Sequence, residues 1–392
     1  MTPGTLTGLN TISLPCCGNA CLPAIALGYE DANDAAFPAR DPALKAKGGR
    51  LPESGLDPAS QPPRSRFENS VRMAELSRVS EALLELYLKT HPGPRQVVVI
   101  DLDGTDDPAP GRQQRSFFHG YYGEYLYHPL FVFDGQDGFP LAAVLRPGNP
   151  HDSHGAVALL KRLLSRLRAA YPKALILVRA DAGLAVPALH EFLEEQENFR
   201  YVIGFITNNR LLSQPAPLAR QAEGNFQSTG EKQRLFTAFA YQADSWDRPR
   251  RIIAKVEYTA KGLNQRFVVT NLSRNPRFVY DDIYVLRGEV ENRSKELKLA
   301  IRPDRLSCHR FLANQFRLLF HTAASCLFWL LRHHLQGKEL ATAQVNTLRL
   351  KLLKIGARIR ETSRRLWVHL ASGNPSGHLL ATALQNLRAS PG

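Results

Sequence analysis

Cysteine is scarce in this 392-residue chain, and the five present, Cys16, Cys17, Cys21, Cys308 and Cys326, show no paired spacing. That excludes the stapled scaffold of a small secreted domain and fits a reducing compartment, with a cytoplasmic location as the expectation. Cys16, Cys17 and Cys21 also lack a nearby fourth Cys or His to complete a zinc tetrahedron. No Lys or Arg precedes Arg40, so the apolar pieces before it lack the basic start of a secretory signal. Long apolar runs are missing as well. The most apolar stretch, Thr322 to Leu331, lies between His321 and Arg332 and is too short to span a bilayer. Acidic residues nearly vanish from the last quarter, where residues 301–392 hold 14 Lys plus Arg against 3 Asp plus Glu, a surplus of 11 in a chain of net charge +14. A polyanion is the simplest partner for such asymmetry, and nucleic acid is the commonest polyanion; a merely solvated basic tail is the plain alternative.

What is present suffices for a sizeable core, since 44% of the residues are hydrophobic. Residues 1–66, rich in Pro, Gly and Ala, show no sustained period and read as an irregular segment, with Pro58, Pro62 and Pro63 breaking the chain just before a helix. Phe67 to Lys89 has helical apolar spacing at Val71, Leu76, Val79, Leu83, Leu84 and Leu88. QVVVIDLDGT then reads as a buried strand that delivers Asp101 and Asp103 at its carboxyl end. Leu126 to Phe133 and Leu141 to Leu145 predict a hairpin about a Gly-rich turn. An amphipathic helix follows, and ALILVRADAG is a second buried strand, ending at Asp181. With one more helix and the strand RYVIGFI, the order is three strands, helix, strand, helix, strand. That order predicts an α/β fold with a mixed sheet of the ribonuclease H type over 67–212, resumed at 273–306. Short alternating runs within 213–272 predict an antiparallel β insertion between Asp181 and Glu291, and 307–392 predicts a basic helical region.

The stretch YVLRGEVENRSKELK, Tyr284 to Lys298, anchors the functional reading. On a helical wheel it gathers Tyr284, Arg287, Glu291, Lys295 and Lys298 within roughly 80°, and Ile283, Leu286, Val290 and Leu297 about 110° away. Asp281 and Asp282 offer N-cap and first-turn carboxylates. Glu291 and Lys295 as a solvated i,i+4 pair is the bland account. Two strand-end aspartates and a helical glutamate, Asp103, Asp181 and Glu291, are the other: hard oxygen donors of the kind that hold Mg2+ for phosphodiester displacement. Asp101, two residues before Asp103 on the same side of the strand, is an alternative first ligand. IDLDGT also resembles the first motif of haloacid-dehalogenase phosphatases, with Asp101 as nucleophile and Asp103 as acid/base, although a matching downstream carboxylate pair is hard to find.

Taken together, these motifs resemble the DDE transposases of bacterial insertion sequences, in the branch with a Tyr-x2-Arg-x3-Glu-x6-Lys signature and most nearly the insertion sequence 1380 family. Tyr284, Arg287, Glu291 and Lys298 meet that spacing, and the segments at Asp101–Pro108, His119–Leu130, Leu145–Asn149 and Arg179–Gly183 agree in wording and order over about residues 27 to 385. The resemblance implies an RNase H-like core and Mg2+ dependence, with Mn2+ as the substitute ion. It implies cut-and-paste chemistry on double-stranded DNA, at element terminal inverted repeats and at target DNA, by a nucleoid-associated homodimer without a membrane. It makes Asp103, Asp181 and Glu291 the catalytic and metal-binding acids. DNA contacts would fall to Tyr284, Arg287, Lys295 and Lys298, with Trp246 as the candidate receiver of a flipped base. The wording departs from the family in LDPASQPPRSRFENS and around Phe37 and Pro38, and residues 1–26 match nothing in it. A truncated or drifting copy that binds DNA without cutting it is therefore the alternative reading.

Overall fold

The computed structural model describes residues 16–119, 123–148, 155–362 and 365–389. Parts of the His119–Leu130 and Leu145–Asn149 motifs lie outside the described residues, as does the start of the N-terminal segment.

The first long strand, β1 (Val97–Gly104), organises the rest. Its alternation is strict: Val98, Ile100 and Leu102 are fully buried on one face, and Val99, Asp101 and Asp103 take the other. After two short strands, β2 (Asp107–Pro108) and β3 (Phe117–His119), the chain forms β4 (Glu124–Tyr127), β5 (Leu130–Asp134) and β6 (Pro140–Val144). The predicted strand over 126–133 is therefore two. Leu126 and Tyr127 belong to β4, in a small sheet of order β2-β4-β3, and the chain breaks at His128–Pro129 before β5. Pro129 has no N–H to donate to a ladder, and Arg146 holds the His128 carbonyl at 2.7 Å.

Next come β7 (Leu175–Ala180) and β8 (Phe199–Phe205), both running parallel to β1 in the order β6-β5-β1-β7-β8, with β5 antiparallel to its two neighbours β1 and β6. Three further strands, β9 (Gln233–Tyr241), β10 (Arg250–Thr259) and β11 (Gly262–Thr270), pair antiparallel, and β11 joins β8. The alternating runs read from the sequence thus extend the same sheet to eight strands.

Helices cover the face carrying Val98, Ile100 and Leu102. They are α1 (Cys16–Leu27), α2 (Gln61–Ser70), α3 (Met73–Thr90), α4 (Ala156–Ala170) and α5 (Pro187–Glu194), with α6 (Ala216–Thr229) on β9 and β10. The opposite face is covered by a continuous helical run over 276–301, α7, and both faces meet α8 (Phe311–His333) at the β6 edge. Among the described residues no helix is long and apolar enough to cross a membrane.

Three expectations are corrected. Residues 16–66 are largely helical rather than irregular: Pro62 and Pro63 start α2 instead of breaking the chain, because a first-turn proline lacks only an N–H that would be unpaired anyway. The helix expected over 67–89 is two, since Val71 and Arg72 are extended and the Glu75 carboxylate accepts the Arg72 N–H at 2.9 Å to start α3. The C-terminal region also holds a two-stranded ribbon, β12 (Ala357–Glu361) with β13 (Leu366–Leu370), before α9 (Gly377–Ala389).

One buried group carries a cost. Asp107 is 1% exposed, and neither carboxylate oxygen has a hydrogen-bond partner among the described residues. Burial, reinforced by the Asp304 carboxylate, pushes its pKa up to about 8. An acid that titrates near 8 when folded and about 4 when unfolded takes up a proton on folding across that window, so its contribution to stability falls as pH rises from about 4 to 8. Asp107→Asn is expected to raise stability by about 1–3 kcal/mol at pH 8, with the gain shrinking toward pH 5. Urea unfolding across that range checks it; a gain independent of pH would contradict the assignment.

Candidate active site

The helical run α7 starts at Asn275, whose side chain accepts the Arg277 N–H; Asp281, expected as a cap, instead pairs with Arg234 at 2.5 Å. Two π-helical segments, Val279–Tyr284 and Leu297–Ile301, flank its central turns. Such widened turns recur at functional sites because they re-aim side chains. The buried stripe runs through Tyr280, Arg287, Val290, Ser294 and Leu297, while Leu286, expected in the core, is 52% exposed. The helix is thus rolled so that the boundary between its apolar and charged sectors faces the sheet.

That roll points Arg287 at the strand ends. Its Nη2 lies 3.2 Å from Asp103 Oδ1 and 3.5 Å from Asp181 Oδ2, and its Nη1 lies 2.9 Å from Glu291 Oε1. One guanidinium therefore touches all three acids singled out in the sequence. Asp103 arrives at the end of β1, and Asp181 follows β7 and caps a short turn by accepting the Gly183 N–H. Parallel pairing of β1 with β7 brings the two ends together. Burial raises the Asp103 pKa above the ordinary aspartate value and the Glu291 charge adds to this, against the Arg287 and Lys298 cations.

Asp101 does a different job. It is fully buried and holds Arg179 in a two-point contact, Nε to Oδ1 and Nη2 to Oδ2 both at 2.6 Å, while Arg179 Nη1 donates to the Ile283 carbonyl. A buried, bidentate pair of this kind ties β1 and β7 to α7 and leaves the carboxylate closed to a substrate. That removes the basis for Asp101 as a phosphatase nucleophile, and of the two neighbouring aspartates only Asp103 reaches the cluster.

A family model described as transposase DDE domain group 1 matches residues 20–391. The chain belongs to the DDE transposases. Among curated proteins, none matches its sequence. Similar solved structures include a piggyBac transposase synaptic complex with hairpin DNA, at 12% identity and TM-score 0.34, covering 68% of this chain and 59% of that one. Others are a Mos1 transposase paired-end complex with left transposon end (14%, TM-score 0.19, covering 42% and 53%) and the NurA nuclease from Sulfolobus solfataricus (10%, TM-score 0.25, covering 68% and 97%). The chain thus spans between half and three fifths of the two transposase chains it is similar to.

Within this transposase domain the other expected site residues separate. Tyr284 packs beside the cluster, its hydroxyl aimed at Gly204 of β8. Burial raises its pKa, and the Asp181 and Glu291 charges add to that against Arg287. Lys298 donates to the Asp106 carbonyl at 2.6 Å, just past Asp103, and Lys295 is exposed. Trp246 is not at the cleft. It is 5% exposed, boxed by His190, Phe205, Tyr241 and Arg250. Its partner Phe205 belongs to the helix-covered core, whereas Gly204 faces Tyr284, so Trp246 packs on the other side of the sheet and cannot receive a base there without unpacking.

Sequence reasoning missed Arg179 as the tie beneath the cluster and Gly204 as the clearance beside it; only the RADAG wording hinted at the first. A Cβ on Gly204 would stand 2.6 Å from the Tyr284 hydroxyl and 2.9 Å from the Ala182 nitrogen, closer than atoms can pack. Gly204→Ala is therefore expected to cost about 1–3 kcal/mol. Adding Tyr284→Phe should recover part of that cost, because it removes the nearer of the two contacts. Denaturant melts of the two single variants and the double variant give the coupling; strictly additive costs would show that the hydroxyl does not sit there.

Proposed function

We propose that this DDE transposase domain is the DNA-cutting and strand-joining enzyme of a bacterial insertion sequence, of the insertion sequence 1380 type. The observation that carries the reading is the meeting of Asp103, Asp181 and Glu291 on one guanidinium. The sheet order β6-β5-β1-β7-β8, with acids ending its central and fourth strands, supports an RNase H-like core.

The donor chemistry suits a divalent ion, with the Arg287 guanidinium standing between acids whose oxygens do not all lie within 4.8 Å of one another. Three carboxylates face the Arg287 charge, with Lys298 also acting on Asp103, so negative charge is in surplus, and all the donors are hard oxygens suited to Mg2+ or Mn2+. Asp103, Asp181 and Glu291 would hold the ions, which when bound favour the attacking oxygen and stabilise the departing one in an in-line displacement. The chain's own residues do the rest. Arg287 balances the acids and lies within reach of a backbone phosphate entering the cleft, while Lys298 fixes the loop after Asp103 through the Asp106 carbonyl. Exposed Lys295 adds a non-specific phosphate contact. Water attacks the phosphodiester at an element end and frees a 3′-hydroxyl, which then attacks a target phosphodiester and displaces another 3′-oxygen. Work on terminal inverted repeats as a homodimer, in the bacterial cytoplasm, belongs to the same proposal.

Mg2+-dependent nicking of duplex DNA carrying the element end is the test. The parent chain should nick, and Asp181→Ala or Glu291→Gln should lose at least about a hundredfold in rate with DNA binding retained. Tight, salt-sensitive binding with no cleavage by the parent would favour the non-cutting copy instead.

A further inference from the structure

The ribbon of β12 and β13 joins no other sheet among the described residues. A two-stranded hairpin alone is marginal in water, so its exposure calls for a partner. Antiparallel register sorts its side chains cleanly. Opposed pairs Ala357–Leu370, Ile359–Val368 and Glu361–Leu366 share one face, and Arg358–His369 and Arg360–Trp367 share the other. Arg365 falls on the second face by alternation, which carries no acid. The single acid, Glu361, lies on the first face and is tied down by the Glu53 N–H at 3.2 Å and the Ser54 hydroxyl at 3.0 Å. Glu361 tethers the ribbon at one end, and both faces are exposed, with Val368 at 57% on the first and Trp367 at 49% on the second beside three arginines and a histidine.

We propose that the Arg358, Arg360, Arg365, Trp367 and His369 face of this ribbon docks on duplex DNA. The inference rests on the transposase reading above and names a contact surface for it outside the acid cluster. Charge complementarity selects the occupant: a second copy of a chain with net charge +14 would meet the arginines with like charge, whereas a phosphate backbone neutralises them. Shape agrees, because the major groove of B-DNA admits a two-stranded ribbon. The arginines set position on the backbone, and Trp367 supplies flat apolar contact with sugar or an exposed base edge.

The test is fluorescence anisotropy of the full chain with a labelled duplex across about 0.05 to 0.2 M salt. Each phosphate contact contributes about 0.9 to the slope of log K against log salt, so R358Q/R360Q/R365Q should flatten that slope by about 2–3 and weaken binding roughly tenfold or more. W367A should weaken binding about tenfold at nearly constant slope. V368S, on the apolar face, should change neither, and all variants should keep the parent's circular dichroism and melting temperature. An unchanged slope in the triple variant overturns the proposal. So does a change confined to oligomeric state by sedimentation, which would make the ribbon a self-association surface. Ribbon-dependent binding without Mg2+-dependent nicking would leave this surface standing and remove the catalytic reading; nicking with ribbon-independent binding would do the reverse.

Discussion

A single guanidinium holding three carboxylates is the constraint on which the site depends. Asp103, Asp181 and Glu291 come from two strand ends and a helix, and like charges at such spacing repel by several kcal/mol even at an effective dielectric near 20. Arg287 offsets part of that repulsion, Lys298 acts on Asp103 as well, and negative charge remains in surplus. Such a surplus is costly unless cations offset it, and that cost is the physical basis of the proposal that the cluster holds divalent ions. Burial of Asp103 sharpens the point, since a partly desolvated acid gains most from a positive neighbour.

The supports beneath the cluster are arranged for position. Asp101 and Arg179 pin β1 to β7 and, through the Ile283 carbonyl, to the start of α7. Gly204 clears room for the Tyr284 hydroxyl, and π turns flank the central turns of α7. Together these fix where Arg287 and Glu291 point. Nearby, Asp107 is buried with no hydrogen-bond partner among the described residues, and burial raises its pKa to about 8.

The strand-end acids were legible because VVVIDLDG and LILVRAD are near-continuous apolar runs, which announce both the strand and its end. The helical acid was legible from spacing, but the roll was not. An ideal wheel assumes one even step per residue and an apolar face toward the core, and this helix breaks both assumptions by widening its turns and burying Arg287 against acids no local pattern reveals. Asp101 and Asp103 stood as equals in sequence, since both share one side of a strand; only the partner strand's Arg179 separates them. Trp246 stood as the only candidate for a flipped base against the usual case of a buried core Trp, and four neighbours from separate elements enclose it. The ribbon was hidden for a similar reason: IGARIRE and LWVHL carry too short an alternation to outvote the basic, helix-like surroundings.

The most direct measurement of the central claim is binding of Mn2+ to the DNA-free chain, followed by electron paramagnetic resonance. Three converging acids predict saturable binding that weakens at least about tenfold when any one of Asp103, Asp181 or Glu291 becomes its amide, and that stays at the parent level in Asp304→Asn. Binding equal in all four variants and the parent, or lost in one acid's variant alone, would contradict a site shared by the three.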